Sequence, residues 1–454
     1  MAKETEIKLR VSPESLAALR ENPVLTARCV GPWQTRELLN RYYDTADFAL
    51  ANSQVALRIR RDGEQLIQTL KSKGASVAGL SERNEFDWQL KSNRLVLSHL
   101  DETCWPESLA ELDKKQLKAV FSTDFKRQFA ELRWLRDGVE TVVEVALDQG
   151  LVIADQQQED ICEVELELRE GDPAALLELA LELAADVALM PCDISKAERG
   201  YRLFDANSYS VAAEAAQLNA EMPLDDAFAA IAWQLLGNSQ RLAEQYRFNG
   251  HWKLLEQWLQ QLVGLRALLT SLGQAMPRAT SSALRAQLDA LINDWRVRIL
   301  AGADDQSVRE ATPLEFTNEL THTRWGLFSL QMALWLQNKE WQKKRTVRGT
   351  RQGTATLQNW LLQFLKDEAD ALQVHRYMRQ PEDLAEQAPR IERLLVWLQT
   401  ARHITELVDS DRLFGVLREL HNIALQPLSA EALVLRREHL GHVLTLNAWK
   451  QLRS

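Results

Sequence analysis

Glu4, Glu6 and Lys8 occupy every second position of the N-terminal segment, and Glu163, Glu165 and Glu167 repeat that spacing in the stretch Cys162 to Leu168. A spacing of two puts side chains on one face of a β-strand. Each segment therefore crowds like charges onto one face, which repel unless cations stand among them. Other short segments supply cations at the same period: Arg58 and Arg60, Lys71 and Lys73, Arg83, Arg127 and Arg133. Clustered guanidinium and ammonium groups suit the oxygens of a polyanion, and a separate set of carboxylates suits a hard divalent cation. A polyphosphate accompanied by Mg2+ or Mn2+ requires both. The matching chemistry is attack by water on a phosphoanhydride, with cations neutralising charge on the phosphoryl oxygens. No His, Ser or Cys nucleophile is needed.

Up to about residue 200, charges alternate with Val, Ile, Leu and Phe, which predicts a mainly β half. Helical patterns interrupt it near Ser12 to Arg20, Glu111 to Val120 and Pro173 to Ala188, the last opened by an Asp172–Pro173 cap. Such strands close into a barrel with apolar residues outside, against helices, and both signs of charge inside. That interior is costly when empty, since each charge taken from water costs several kcal/mol unless paired. Beyond Asp225, apolar residues recur at three-and-four spacing, as in Trp252, Leu255, Leu259, Leu262 and Leu269, and predict helices. The expected architecture is a multidomain α+β chain. An antiparallel eight-stranded β-barrel tunnel with flanking helices spans residues 1–203, a linker 204–223, and an all-α bundle 224–454.

The 454 residues are 46% hydrophobic and 26% charged, as in soluble globular proteins, with a net charge of −10. Residues 1–200 carry 25 Lys and Arg against 36 Asp and Glu, a net −11, which argues against a nucleic-acid ligand. Four scattered cysteines offer neither a zinc-site spacing nor a disulfide framework. No apolar run reaches the roughly 20 residues of a membrane span, and MAKETEIKLR lacks a signal-peptide core. A cytoplasmic protein with no membrane partner is expected.

Six segments then occur in a recognisable order: Glu4-x-Glu6-x-Lys8, RYYDT (41–45), ALRIR (56–60), TLKSKG (69–74), EVELEL (163–168) and SKAERGYRL (195–203). Together they resemble the CYTH family of triphosphate tunnel metalloenzymes. The resemblance implies a tunnel that grips inorganic triphosphate, or an organic one, with basic residues and divalent metal. It implies metal ligands at Glu4, Glu6, Glu163, Glu165 and Asp148. Phosphate contacts are implied at Lys8, Arg58, Arg60 and Lys71, and at Arg127, Arg133 and Lys196. Arg41 lies in a matching motif and either joins that clamp or holds the strand's neighbours. Catalytic roles fall on Glu4, Glu6 and Lys8, on the further tunnel carboxylates Glu85, Glu144 and Asp148, and on Lys196. The implied activity is hydrolysis of triphosphate to diphosphate and phosphate. Thiamine triphosphatase and adenylyl cyclase activities on the same tunnel remain alternatives, with Trp33, Tyr42 and Trp88 as stacking candidates, as does a non-catalytic polyphosphate binder.

The helical half holds seven of the eight histidines and ten of the fourteen tryptophans. Basic residues fall on its apolar stripes: His439 and His442, His421, His375 and Arg266. A further basic run covers Lys343, Lys344, Arg345, Arg348 and Arg351. A helical, His-bearing segment after a CYTH segment resembles the CHAD domain, which implies polyphosphate as a partner. The dense His-x-x-Arg and Arg-Arg motifs of that family are thinned here to His375-Arg376 with Arg379 and Arg436-Arg437 near His439, and a scaffold is the other reading.

Overall fold

The computed structural model describes residues 2–77, 80–206, 211, 213–321 and 323–453. The side chains of Lys73 and Arg83 lie outside the described set. Eight antiparallel strands form the N-terminal half: β1 (Ala2–Arg10), β2 (Cys29–Asp44), β3 (Ala56–Asp62), β4 (Gln65–Val77), β5 (Leu80–Leu90), β6 (Lys118–Arg136), β7 (Val139–Ala154) and β8 (Gln157–Glu170). They run in the order β5-β4-β3-β2-β6-β7-β8-β1, and β1 pairs back onto β5 to close a barrel. A two-residue β9 (Met190–Pro191) pairs with Leu9 and Arg10, where β1 has outrun β5. The sheet thus has nine strands and the ring eight. The β6–β7 hairpin turns on Asp137 and Gly138, both at positive φ, the conformation a two-residue hairpin of matching twist demands.

Alternation along each strand separates two environments. On β1, Ile7 and Leu9 are fully buried on the outer face, while Glu4, Glu6 and Lys8 point into the bore. Helices α1 (Pro13–Leu19), α2 (Pro23–Thr26) and α3 (Ala49–Asn52) are short, and α4 (Ala174–Ala184) packs on β1 and β8. In α4, Leu176, Leu177 and Leu183 have no exposed surface, each worth about 1.5–3 kcal/mol of burial. The expected Asp172 cap is present, its Oδ1 accepting from the Ala174 amide at 2.8 Å. The expected helix near Glu111 to Val120 is a single 3₁₀ turn, Lys114–Gln116, followed directly by β6. Leu112 and Leu117 pack on the cluster of Leu50, Leu100 and Trp105, so their spacing serves a loop that covers the barrel wall.

Helix α5 (Lys196–Phe204) packs on β6, β7 and β8. Ser195 caps it in a reciprocal capping box with Glu198. Its Ala197, Tyr201 and Leu203 join Leu38, Tyr42, Phe121 and Phe125 in one apolar cluster. Tyr42 stacks on Phe121 at 4.7 Å, and Tyr201 meets Phe121 edge-on at 4.9 Å. The Tyr201 hydroxyl donates to Asp44 Oδ2 at 2.7 Å, and Asp44 also accepts from the Leu50 and Ala51 amides. Asp44 of the RYYDT segment is thus a structural tie between α3 and α5.

The chain divides into two compact units. The first is Met1–Ala212 with Gln240–His251 and Arg309–Leu334; the second is Ala213–Ser239, Trp252–Val308 and Trp335–Ser454. Two helical stretches from beyond residue 224 therefore group with the strands, where the sequence suggested one cut. Helix α6 (Leu224–Asn249) carries into the first unit Glu244, which has no exposed surface, and Tyr246, edge-on to Phe316 at 4.9 Å. Buried charges and rings pack where their partners are, and hydrophobic periodicity does not report that. The second unit is helical, with Trp258, Leu262, Leu394, Trp397 and Leu417 in its core. Among the described residues no helix is long and apolar enough to cross a membrane.

Gly200 fixes how closely α5 approaches the barrel, because a Cβ there would lie 2.1 Å from the Phe121 ring. Gly200→Ala is expected to cost about 1–3 kcal/mol through overpacking. Thermal melting should show a lowered midpoint, partly recovered in Gly200→Ala/Phe121→Leu; a midpoint equal to wild type would refute the close approach.

Candidate active site

The barrel encloses a cavity of about 340 Å³ lined by all eight strands and the start of α5. Strand register sorts its charges. Glu144 of β7, Glu167 of β8 and Glu6 of β1 are direct cross-strand neighbours in one row, with Glu4 two positions further along β1. The facing cations are Arg58 and Arg60 on β3 and Arg127 on β6.

The acidic row is short of compensation. Arg169 binds Glu144 at 3.1 Å and Glu167 at 2.5 Å. Glu4 binds Lys71 at 2.7 Å, and Lys71 is shared with Glu85 at 3.2 Å. Burial, then the neighbouring Glu4 and Glu144, pushes the Glu167 carboxyl up to about 7 despite Arg169. The basic wall shows the opposite surplus. Burial beside Arg58 and Arg127 brings the Arg60 guanidinium down to about 10. Asn40 Oδ1 accepts a hydrogen bond from Arg60 Nε at 2.8 Å, and Asn40 Nδ2 donates to the Thr123 carbonyl at 2.9 Å. Arg58 reaches Tyr42 Oη and Glu85 only at 3.5 Å, and its buried Nε has no hydrogen-bond partner among the described residues.

Between the two lies a dense ion cluster. Lys196 Nζ donates to Asp148 Oδ2 at 2.8 Å, to Glu165 Oε1 at 2.9 Å and, more closely still, to Glu163 Oε1. Arg127 forks onto Asp148 at 2.8 and 2.7 Å and also binds Glu165. Lys8 bridges Glu165, at 3.0 Å, and Glu6. Burial opposes ionisation of Glu165, but Lys196, Lys8 and Arg127 outweigh it and hold this carboxyl well below the usual range. Asp148 is likewise lowered against its burial by Arg127 and Lys196.

The cavity brings together Glu4, Glu6, Lys8, Arg58, Arg60 and Lys71, and with them Glu85, Arg127, Glu144, Glu165 and Lys196. Asp148 and Glu163 sit behind Lys196 as its buried partners. Two expected residues are elsewhere. On β2 the inward positions are even, Arg36, Leu38 and Tyr42, so Arg41 faces out and is exposed. Arg133 has the inward parity of Arg127 and Phe129, but β6 continues past the cavity; its side chain is 45% exposed and binds Glu131 and Glu140. Trp88 stacks on His99 outside the cavity, and neither it nor Trp33 lines it; Tyr42 does. Arg36, Asp87, Glu167 and Arg169 also line the cavity. For Arg169 the signal was available, since it continues the spacing of Glu163, Glu165 and Glu167.

Two carboxylate groups bear on metal binding. Asp148, Glu163 and Glu165 offer oxygens within 4.8 Å of one another, but the Lys196 ammonium already bonds all three. The row of Glu6, Glu167 and Glu144 with Glu4 sets like charges directly opposite one another, a repulsion that a hard cation would relieve.

In the second unit, several of the basic residues singled out by sequence are paired internally, while Lys344, Arg348, Arg351 and His375 are exposed. Arg266 forks onto Asp289 at 2.7 and 3.0 Å; His421 and Arg296 share Glu392 Oε1 at 2.9 and 3.0 Å. The buried Arg436 donates to five backbone carbonyls, those of Pro381, Glu382, Ile423, Ala424 and Gln426. Arg345 binds Asp225 and the Ala275 carbonyl.

Residues 2–201 match the CYTH domain family. An inorganic triphosphatase of Haemophilus influenzae is 34% identical over 203 residues, covering 45% of this chain and 55% of that protein, so the chain spans about half the length of the curated relative. A solved structure described as a putative adenylyl cyclase from Hippeastrum with a dominant triphosphatase activity is 21% identical, covering 46% of this chain and 97% of its own, with a TM-score of 0.32. A putative adenylate cyclase from Bacillus halodurans is 20% identical, with 41% and 90% coverage and a TM-score of 0.25. The likeness to the CYTH domain family is thus confined to residues 2–201, the part of the chain that forms the barrel and α5.

Proposed function

We propose that the chain is an inorganic triphosphatase that cleaves triphosphate to diphosphate and phosphate inside the barrel with a divalent metal, Mg2+ or Mn2+. The observation that carries this reading is the split surplus of charge: under-partnered Arg58 and Arg60 on one wall, and the crowded Glu144, Glu167 and Glu6 on another. A triphosphate supplies the first with oxygens, and a divalent cation supplies the second with charge. The relative in Haemophilus influenzae carries the same name.

In this reading Arg58 and Arg60 clamp the terminal phosphates through their guanidinium forks, with Asn40 fixing the orientation of Arg60. Lys8, Arg127 and Lys196, held by carboxylates behind them, present fixed positive charge to the leaving diphosphate. Glu4, Glu6, Glu144 and Glu167 would hold the metal, which when bound draws charge from phosphate oxygens and acidifies a water. The preference for an inorganic substrate over a thiamine or adenine ester is supported by the cavity's aromatics. Lys196 lies over Phe125 at 4.9 Å, Arg36 lies over Phe129 at 4.7 Å, and the third ring, Tyr42, stacks on Phe121 at 4.7 Å, so each already carries a partner where a base would stack. For the helical half, a polyphosphate site and a scaffold both remain proposals; the paired states of Arg266, Arg345 and Arg436 favour the scaffold.

Phosphate release by the full chain from triphosphate, thiamine triphosphate and ATP, with and without chelator, tests the assignment. Metal-dependent turnover is expected for triphosphate above the other two, and Arg60→Met should lower kcat/KM about a hundredfold. No release from triphosphate, or full activity in Arg60→Met, would reject the reading.

The Glu167 carboxyl, pushed up to about 7, is largely protonated at pH 6 and ionised at pH 8, so a metal binding there displaces a proton below neutrality. Affinity for Mn2+ should therefore rise about tenfold from pH 6 to pH 8 and then level. In Glu167→Gln the affinity should be weaker and lose that slope; an unchanged slope would remove Glu167 from the metal site.

A further inference from the structure

Behind Lys196 the ion cluster continues into a second one that the proposed chemistry does not use. Arg199 of α5, fully buried, donates Nη1 to Glu163 Oε2 at 3.1 Å, Nε to Glu159 Oε1 at 2.9 Å, and Nη2 to the Asp160 carbonyl. Glu159 also takes both Arg202 Nη2 contacts, at 2.7 and 2.9 Å, and Arg10 at 3.5 Å. Arg10 is held by a fork from the α6 residue Glu244, Nε to Oε1 at 2.6 Å and Nη2 to Oε2 at 2.8 Å. Arg202 lies 4.0 Å from Glu244 and Arg247 3.5 Å.

Four guanidiniums, Arg10, Arg199, Arg202 and Arg247, thus share two carboxylates of their own, Glu159 and Glu244. They also draw on one oxygen of Glu163, whose other oxygen belongs to Lys196. Glu163 is contested between the tunnel and this cluster. Glu244 has no exposed surface and lies beyond residues 2–201.

We propose that Glu244 is a positioning residue for the tunnel: by neutralising Arg10 and Arg202 it leaves Glu163 free to hold Lys196 at the cavity. Without its charge, four cations compete for Glu159 and Glu163, and Glu163 is pulled toward Arg199 and away from the ammonium. The helical segment Gln240–His251 is then part of the tunnel's machinery. This inference rests on the triphosphatase reading only for its kinetic readout.

Glu244→Gln in the full chain keeps the side-chain shape and removes the charge. With triphosphate and Mn2+, kcat should fall about tenfold while KM changes less, the scale seen when a supporting residue lets a charged group drift. Arg136→Gln, which deletes an equally close fork onto Glu178 far from the cluster, should leave both constants near wild type. The double variant Arg10→Gln/Glu244→Gln restores the charge balance and should recover most of the loss, which a merely structural role would not do. A crystal structure of Glu244→Gln should show Lys196 Nζ parted from Glu163. Wild-type kcat in Glu244→Gln, or Lys196 and Glu163 still in contact in its crystals, would overturn the proposal. Should that variant not fold, Arg199→Gln/Glu244→Gln, which removes the competitor for Glu163 together with the Glu244 charge, is read in the same assays, a kcat near wild type supporting the proposal and a tenfold loss overturning it. If wild type does not hydrolyse triphosphate, the functional reading fails and the crystal structure alone decides the positioning claim.

Discussion

More than a dozen charged groups line the bore of 340 Å³, and because an unpaired ion out of water costs several kcal/mol, pairing them is the constraint on this interior. The Lys196 ammonium between Asp148, Glu163 and Glu165 is where that constraint is met most completely. It is also what ties α5 to β7 and β8, since an apolar side chain at 196 would leave Asp148 and Glu165 to Arg127 and Lys8, and Glu163 to Arg199. Around this centre the two remaining sets of charge stay apart. Register puts glutamates opposite glutamates on β7, β8 and β1, while Arg58 and Arg60 stand on β3. A fold that wanted only stability would have interleaved them.

The outer face makes this interior affordable. On β1, β7 and β8 inward charges alternate with buried apolar residues such as Ile7, Val143, Val145, Val164 and Leu166, and α4 buries its leucines over β1 and β8. Helix α5 serves both sides. Its capped first turn delivers Lys196 to the cavity, while Gly200 and Tyr201 pack against Phe121. The same nine-residue helix carries Arg199 and Arg202 into the second ion cluster. Packing and charge are joined in one element, so a shift of α5 moves both.

Much of this is legible in the sequence because period two is a strong signal when the alternating residues are charged. Glu4, Glu6 and Lys8, Arg58 and Arg60, and Glu163 and Glu165 each declare a face. The errors come where one residue decides the face. Arg41 lies one position from the inward Tyr42, and Arg133 has the right parity on a strand longer than the cavity. Composition also cannot say which charges are contested: spacing puts Glu167 on a face with Glu163 and Glu165, and only its cross-strand neighbours, Glu6 and Glu144, set it apart from them. Glu244 was invisible for a different reason. It sits in an ordinary amphipathic helix more than 200 residues from Arg10, and only the tertiary fold joins them.

The central claim is that the two surpluses of charge inside the barrel are two halves of one site. It is tested most directly by a crystal structure of the full chain with Mn2+ and a non-hydrolysable triphosphate analogue, using the anomalous signal to find the metal. The account predicts phosphates on Arg58 and Arg60, and manganese among Glu6, Glu144 and Glu167 with Lys196 still on its three carboxylates. Analogue bound outside the barrel, or manganese in place of the Lys196 ammonium, would contradict it.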